Sequence, residues 1–249
     1  MKRYLYLSLV LILCTNTIKA QDSKLFTPAN RELEQVIKYK HHTLSYNTTY
    51  VVSSWLCYKL NNQLINKSEE VKIKYKTDPN ITAKAAEKKD YKGGGYLMAP
   101  MLNPYDIAND PESLPETFYM SNMLPMKSGF YSHIWFKAEE LFRFWAGENE
   151  LQITAGPILT EAPYPTLGGN KVIVPKRLYK VVYDPANQKA IGFIFKNGIA
   201  SGTIKKYAVT IDEIEKETGV DFLHELDDEL EEKLEASIDL EQWNWEMPD

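Results

Sequence analysis

Cysteine is nearly absent: the 249 residues contain two, Cys14 and Cys57. Cys14 lies in the leader described below, so Cys57 alone would remain and no intrachain disulfide could form. Small exported domains often depend on disulfides, but a chain of this length can bury a sufficient core without them. Cys57 sits in the apolar run Trp55-Leu56-Cys57-Tyr58 and is expected to be buried and inert. Long hydrophobic runs are also missing. The stretch from Tyr4 to Cys14 falls short of the ~20 apolar residues that cross a bilayer, and no later segment is longer. There is no Gly-x-Ser-x-Gly, no His-x-x-x-His and no zinc spacing, which argues against the serine-hydrolase and zinc chemistries those patterns serve. Lys92-Gly93-Gly94-Gly95 lacks a following Gly-Lys-Ser/Thr, so it reads as a backbone bend and not a phosphate loop.

What is present begins with Met1-Lys2-Arg3, the short apolar run, and Ile18-Lys19-Ala20-Gln21. A basic start, an apolar centre and a small residue at the cut predict a signal peptide over residues 1–20, and hence bacterial export to the periplasm, the surface or the medium. Leu13 stands where a lipoprotein signal needs a small residue before Cys14. Residues 21–249 are expected to form one domain whose charge is uneven. The chain carries −5 overall, but residues 212–249 hold −14 and residues 21–211 hold +6. A mildly basic body suits a phosphate backbone only weakly, and an acidic end can shield it or aid solubility.

Period-two patterns predict strands at Leu44–Tyr46, Tyr50–Val52, Trp55–Leu60, Lys72–Lys76, Thr117–Met120, Leu151–Thr154, Val172–Val174, Tyr179–Tyr183, Ala190–Phe195 and Tyr207–Val209. Ile134, Trp135, Ala138, Leu141, Phe142 and Trp145 mark one helical face, and residues 21–40 show a weaker helical pattern. Thr210-x-x-Glu213 is a capping box for a helix that Gly219 ends. Glu225–Ala236 reads as a further helix, with Trp243 and Trp245 as a terminal anchor. The class this implies is α+β, a central, mainly antiparallel sheet flanked by helices.

Several ordered stretches resemble the DNA/RNA non-specific endonucleases, the exported ββα-metal nucleases. They are Glu116-Thr117-Phe118-Tyr119-Met120-Ser121-Asn122-Met123-x-Pro125, Ile134-Trp135-x-x-x-Glu139, Thr154-Ala155-Gly156-Pro157 and Val174-Pro175-Lys176-x-x-Tyr179. Ala190-Ile191-Gly192-Phe193, Tyr207-Ala208-Val209-x-x-Asp212, Ser45-Tyr46-Asn47 and Asp90-Tyr91-x-Gly93-x-Gly95-Tyr96 extend the likeness over roughly residues 40 to 245. The resemblance implies a histidine base in an Asp-Arg-Gly-His motif, a phosphate-holding arginine and an asparagine that binds Mg²⁺ at the head of a helix.

This chain departs from that pattern at each of those positions. Without gaps, the motif falls on Leu97-Met98-Ala99-Pro100, so Met98 replaces the arginine and Pro100 the histidine; a gapped alignment deletes the motif altogether. The asparagine, four residues before the helix tryptophan, becomes Tyr131, a neutral phenol poorly suited to Mg²⁺. Glu139 persists as a weak metal candidate. A rebuilt site would have to draw on His41, His42, His133 or His224 with Asp106, Asp110 and Glu116. The expectation is therefore an exported, catalytically inactive nuclease-like protein with no cofactor, acting by binding nucleic acid or a protein partner. The alternatives are a divergent, Mg²⁺-dependent endonuclease with a relocated site, and a structural subunit of a surface assembly.

Overall fold

The computed structural model describes residues 24–29, 34–65, 71–198 and 201–247. The expected leader lies outside them. A seven-stranded antiparallel sheet dominates. Its strands are β1 (Gln35–Lys38), β2 (His42–Asn47), β3 (Val52–Leu60), β6 (Leu151–Pro157), β9 (Arg177–Asp184), β10 (Lys189–Lys196) and β11 (Ala208–Val209), side by side in that order. Two ribbons flank it: β4 (Leu97–Pro100) with β5 (Met123–Met126), and β7 (Thr166–Leu167) with β8 (Val172–Ile173).

Alternation along β9 shows how the sheet divides the core. Leu178 and Val182 join the larger apolar cluster on one face, while Tyr179, Val181 and Tyr183 join a smaller cluster on the other. The larger cluster packs under α1 (Ser128–Phe130), a π-helical turn over Tyr131–Trp135, and α2 (Phe136–Trp145). The smaller one is covered by α3 (Ile211–Thr218) and α4 (Asp228–Ala236), which carry much of the acidic end. Thr210 caps α3 by accepting from the Glu213 backbone N–H, and Gly219 closes it at φ 66°. Between strands β3 and β9, Gly156 leaves room for Tyr179, whose hydroxyl donates to the Ser54 carbonyl at 3.0 Å. A Cβ there would lie 2.3 Å from the Ser54 oxygen.

The α+β class and antiparallel sheet agree with the sequence reading, but several elements differ. Thr117–Met120 is not a strand: 3₁₀ turns run over Leu114–Phe118 and Met120–Asn122, and a ladder of paired residues starts only at Met123. Pro115 presets the tight first turn. Asn122 ties the next one by accepting from the Met101 and Leu102 amides and donating to Leu102 and Thr117 carbonyls. Lys72–Lys76 makes only an isolated bridge, Lys76 to Tyr119. Tyr50 and Val51 belong to a turn, with Val51 at φ 59°, so β3 begins at Val52. Gln35–Lys38 is extended instead of helical because it pairs with β2. The last helix starts at Asp228, three residues later than expected, where Asp227 caps it. Trp243 and Trp245 pack against Trp145, with ring centroids 4.4 and 5.4 Å away. Among the described residues no helix is long and apolar enough to cross a membrane, and Cys57 is buried and free. Burial pushes its thiol up to about 12.

Candidate functional site

The β4–β5 ribbon pairs Pro100 with Met123 and Met98 with Pro125. A two-stranded ribbon tolerates two prolines because its outer edges need no ladder donors. Leu97, Met98 and Pro100 on this ribbon, with Phe118 and Tyr131, line a pocket of about 830 Å³. Tyr131 enters it from the π-helical turn, and burial raises its phenol further above the usual range. The three positions from which the resemblance would draw a base, an arginine and a metal ligand thus converge in space, but with apolar or phenolic side chains.

Under this pocket lies a buried charge network. Glu139 on α2 is 1% exposed and Lys180 on β9 is 0% exposed. The Lys180 ammonium stands 3.5 Å from Glu139 Oε1, 3.5 Å from the Met101 carbonyl and 4.1 Å above the Trp135 ring. Asn103 Nδ2 donates to Glu139 Oε2 at 2.8 Å, and Arg143 Nη2 approaches the same oxygen at 3.9 Å. Arg143 Nε in turn donates to Asp106 Oδ1 at 2.5 Å, and the Tyr58 hydroxyl donates to Asp106 Oδ2 at 3.3 Å. Two carboxylates therefore face two cations. Burial raises the Glu139 carboxyl, opposed by Lys180 and Arg143. Burial likewise lowers the Lys180 ammonium, opposed by Glu139 and Asp106. For Arg143 burial works downwards, but Asp106 and Glu139 hold it above its ordinary value.

The other candidate residues are scattered. His41 Nε2 meets Asp110 Oδ2 at 2.7 Å beside Lys40, and Glu116 is close by with one carboxylate oxygen buried and unpartnered. Asp106 belongs instead to the Arg143 network. His42 opens β2, buried and stacked on Tyr39 at 4.5 Å. Burial lowers its imidazole to about 3. His133 and His224 are exposed. His133 Nδ1 meets the Gly129 carbonyl at 2.8 Å. Among the described residues the acidic groups with metal-ligand spacing are Asp212, Glu215 and Glu235, and Asp221, Glu231 and Glu235. Both lie in the acidic end, on the opposite face of the sheet from Glu139.

Arg143, Lys180 and Asn103 escaped the sequence reading. Arg143 had a signal, since it follows Glu139 by one helical turn, the spacing of an ion pair. Lys180 had a fainter one: a lysine on the same side of a strand as Leu178 and Val182 must find an internal anion.

A model of the DNA/RNA non-specific endonuclease family matches residues 21–229. The human protein named mitochondrial nuclease EXOG is 28% identical over 209 residues, covering 76% of this chain and 57% of its own length. A nuclease from Nostoc sp. is 26% identical over 229 residues, covering 86% of this chain and 82% of its own. The chain spans under two thirds of the mitochondrial relatives from human, mouse and zebrafish. A chain of the EndoG/EndoGI complex superposes with a TM-score of 0.70 at 23% identity, over 78% of this chain and 88% of that one, which establishes a shared fold.

Proposed function

Because this chain belongs to the DNA/RNA non-specific endonuclease family, we propose that it is an exported member that binds through its former catalytic pocket and does not hydrolyse phosphodiesters. One observation carries this reading: Met98, Pro100 and Tyr131 sit together at the pocket that the active positions would form. Pro100 has no group that accepts a proton, so water activation has no base there. Mg²⁺ prefers an octahedron of oxygen donors. The residues present do not fit it: Glu139, the surviving acid, already faces Lys180 and Arg143, whose charges would repel a further cation. When base, anion clamp and metal ligand act as a unit, losing them together removes nearly all of the rate.

What binds is a protein partner, a nucleic acid or a smaller ligand. The structural relative EndoG is described in complex with EndoGI in a study of its inhibition, which supports a scaffold able to carry a partner. Its proposed export rests on the signal-peptide pattern of residues 1–20.

The test is incubation with plasmid DNA and with RNA in Mg²⁺, in Mn²⁺ and in EDTA. Cleavage no greater than in EDTA is the expected result. Metal-dependent cutting would replace this reading with a divergent endonuclease. Binding without cutting that weakens steeply with salt would identify a nucleic-acid ligand.

A further inference from the structure

Four large hydrophobic side chains are exposed among the described residues, and three of them, Ile73 (63%), Leu97 (40%) and Tyr105 (38%), line the one pocket over the buried network. Such clustering marks a binding surface. The volume of about 830 Å³ falls within the roughly 300–1,000 Å³ typical of small-molecule sites. Among the described residues its lining includes three lysines, Lys88, Lys89 and Lys92, and no acid, in a chain of net charge −5. Lys89 is engaged by Glu87 at 2.8 Å. Lys88 lies 5.9 Å over the Tyr75 ring, and neither it nor Lys92 has a carboxylate partner among the described residues. The short 3₁₀ turn Lys88–Tyr91 fixes this edge, because buried Asp90 accepts from the Glu87 and Asn170 amides.

We propose that the pocket takes an amphiphilic carboxylate, a medium-chain fatty acid, with its hydrocarbon against Leu97, Met98 and Met123 and its carboxylate at Lys88 and Lys92. This rests on the reading that the site binds and does not cut. The charge pattern calls for an anion, and the wall calls for an apolar body. A nucleobase fits less well, since its donors and acceptors would need polar partners once stripped of water. Asn103 has little left to supply: one Nδ2 hydrogen is given to Glu139 and its Oδ1 already receives the Tyr105 amide. The Tyr91 hydroxyl is given to the Met123 carbonyl. Met98 and Met123 provide the adaptable surface that a flexible chain needs.

Isothermal titration with dodecanoate below its micelle concentration tests this, beside dodecyltrimethylammonium and 1-dodecanol. Saturable one-to-one binding of dodecanoate is expected, at least tenfold tighter than of the cation. Lys88→Glu/Lys92→Glu should weaken dodecanoate at least tenfold and favour the cation. Leu97→Asp, at an exposed position that folding tolerates, should abolish binding of both. No binding, equal affinity for all three amphiphiles, or indifference to these variants overturns the proposal. So does a dimer in sedimentation that Leu97→Asp dissolves, because a second copy would then cover the patch. Failure here with no nuclease activity leaves the pseudonuclease reading standing, whereas metal-dependent cleavage removes both.

Discussion

Lys180 and Glu139 form an ion pair wholly inside the protein, with 3.5 Å between ammonium and carboxylate and neither side chain more than 1% exposed. The pair bridges the middle of the sheet to α2, and Asn103 and Arg143 complete the carboxylate's surroundings. Its importance lies less in the attraction itself than in what either charge would be without the other. Removing one partner of a buried pair strands the second in a medium that cannot solvate it.

Lys180→Met is therefore expected to lower stability by about 3 kcal/mol, the scale for breaking a buried pair. Lys180→Met/Glu139→Leu should recover a large part of that loss. Urea denaturation of the two variants measures it, and a double variant no more stable than the single one would contradict the pairing.

Trp243→Ala should destabilise by about 3 kcal/mol, as expected when a buried tryptophan leaves a cavity. Trp243 is buried against Trp145, and the Trp145 indole N–H donates to the Asn244 carbonyl. A lower midpoint with an altered tryptophan emission spectrum is the readout.

Glu235 on α4 supplies a pH dependence. Burial, then the nearby charge of Glu215, pushes its carboxyl up to about 8. Asp221 and Glu231 add to the rise, and the Leu223 amide, which donates to Glu235 at 3.2 Å, opposes it. Its folded pKa lies above its unfolded one, so its contribution is fully present below the ordinary glutamate range and is lost as pH rises towards about 8. The lowered carboxyls of Asp90 and Glu217 act at more acidic pH and outside this window. Buried His42, its imidazole lowered to about 3, gives an opposing slope below the ordinary histidine range, so stability should fall from pH 7 to pH 8, and Glu235→Gln should flatten that slope. An unchanged slope in the variant would assign it to another group.

Restoring one residue should not restore an enzyme. Pro100→His is expected to leave DNA cleavage at the EDTA background, because Tyr131 still occupies the ligand position and Glu139 still faces Lys180. Cleavage by the single variant above that background would show that the remaining parts are competent.

Much of the sheet was legible because a strand with two unlike faces alternates, as β9 and β10 do. The family was legible through ordered local motifs whose residues mainly pack. The errors arose where local pattern met a tertiary decision. Thr117–Met120 has strand-forming side chains, yet the Asn122 amide network winds the chain into tight turns. Tyr131 to Trp135 reads as ordinary helix, but its π-helical turn is set by packing and no spacing announces it. Of the candidate site, the three altered positions could be read one by one. That they share one pocket with Lys88 and Lys92 depends on distant segments meeting, which a linear reading does not contain.

The sheet also works as an electrical partition. Helices α3 and α4, rich in aspartate and glutamate, cover one face, while the lysine-edged pocket opens on the other. Opposite charges held apart by a layer of strands give the molecule a permanent dipole. Screening over ~10 Å at 0.1 M salt leaves a surface-bound anion facing mainly the near side. The protein would then meet a negatively charged surface pocket first, with its acidic helices turned to solvent.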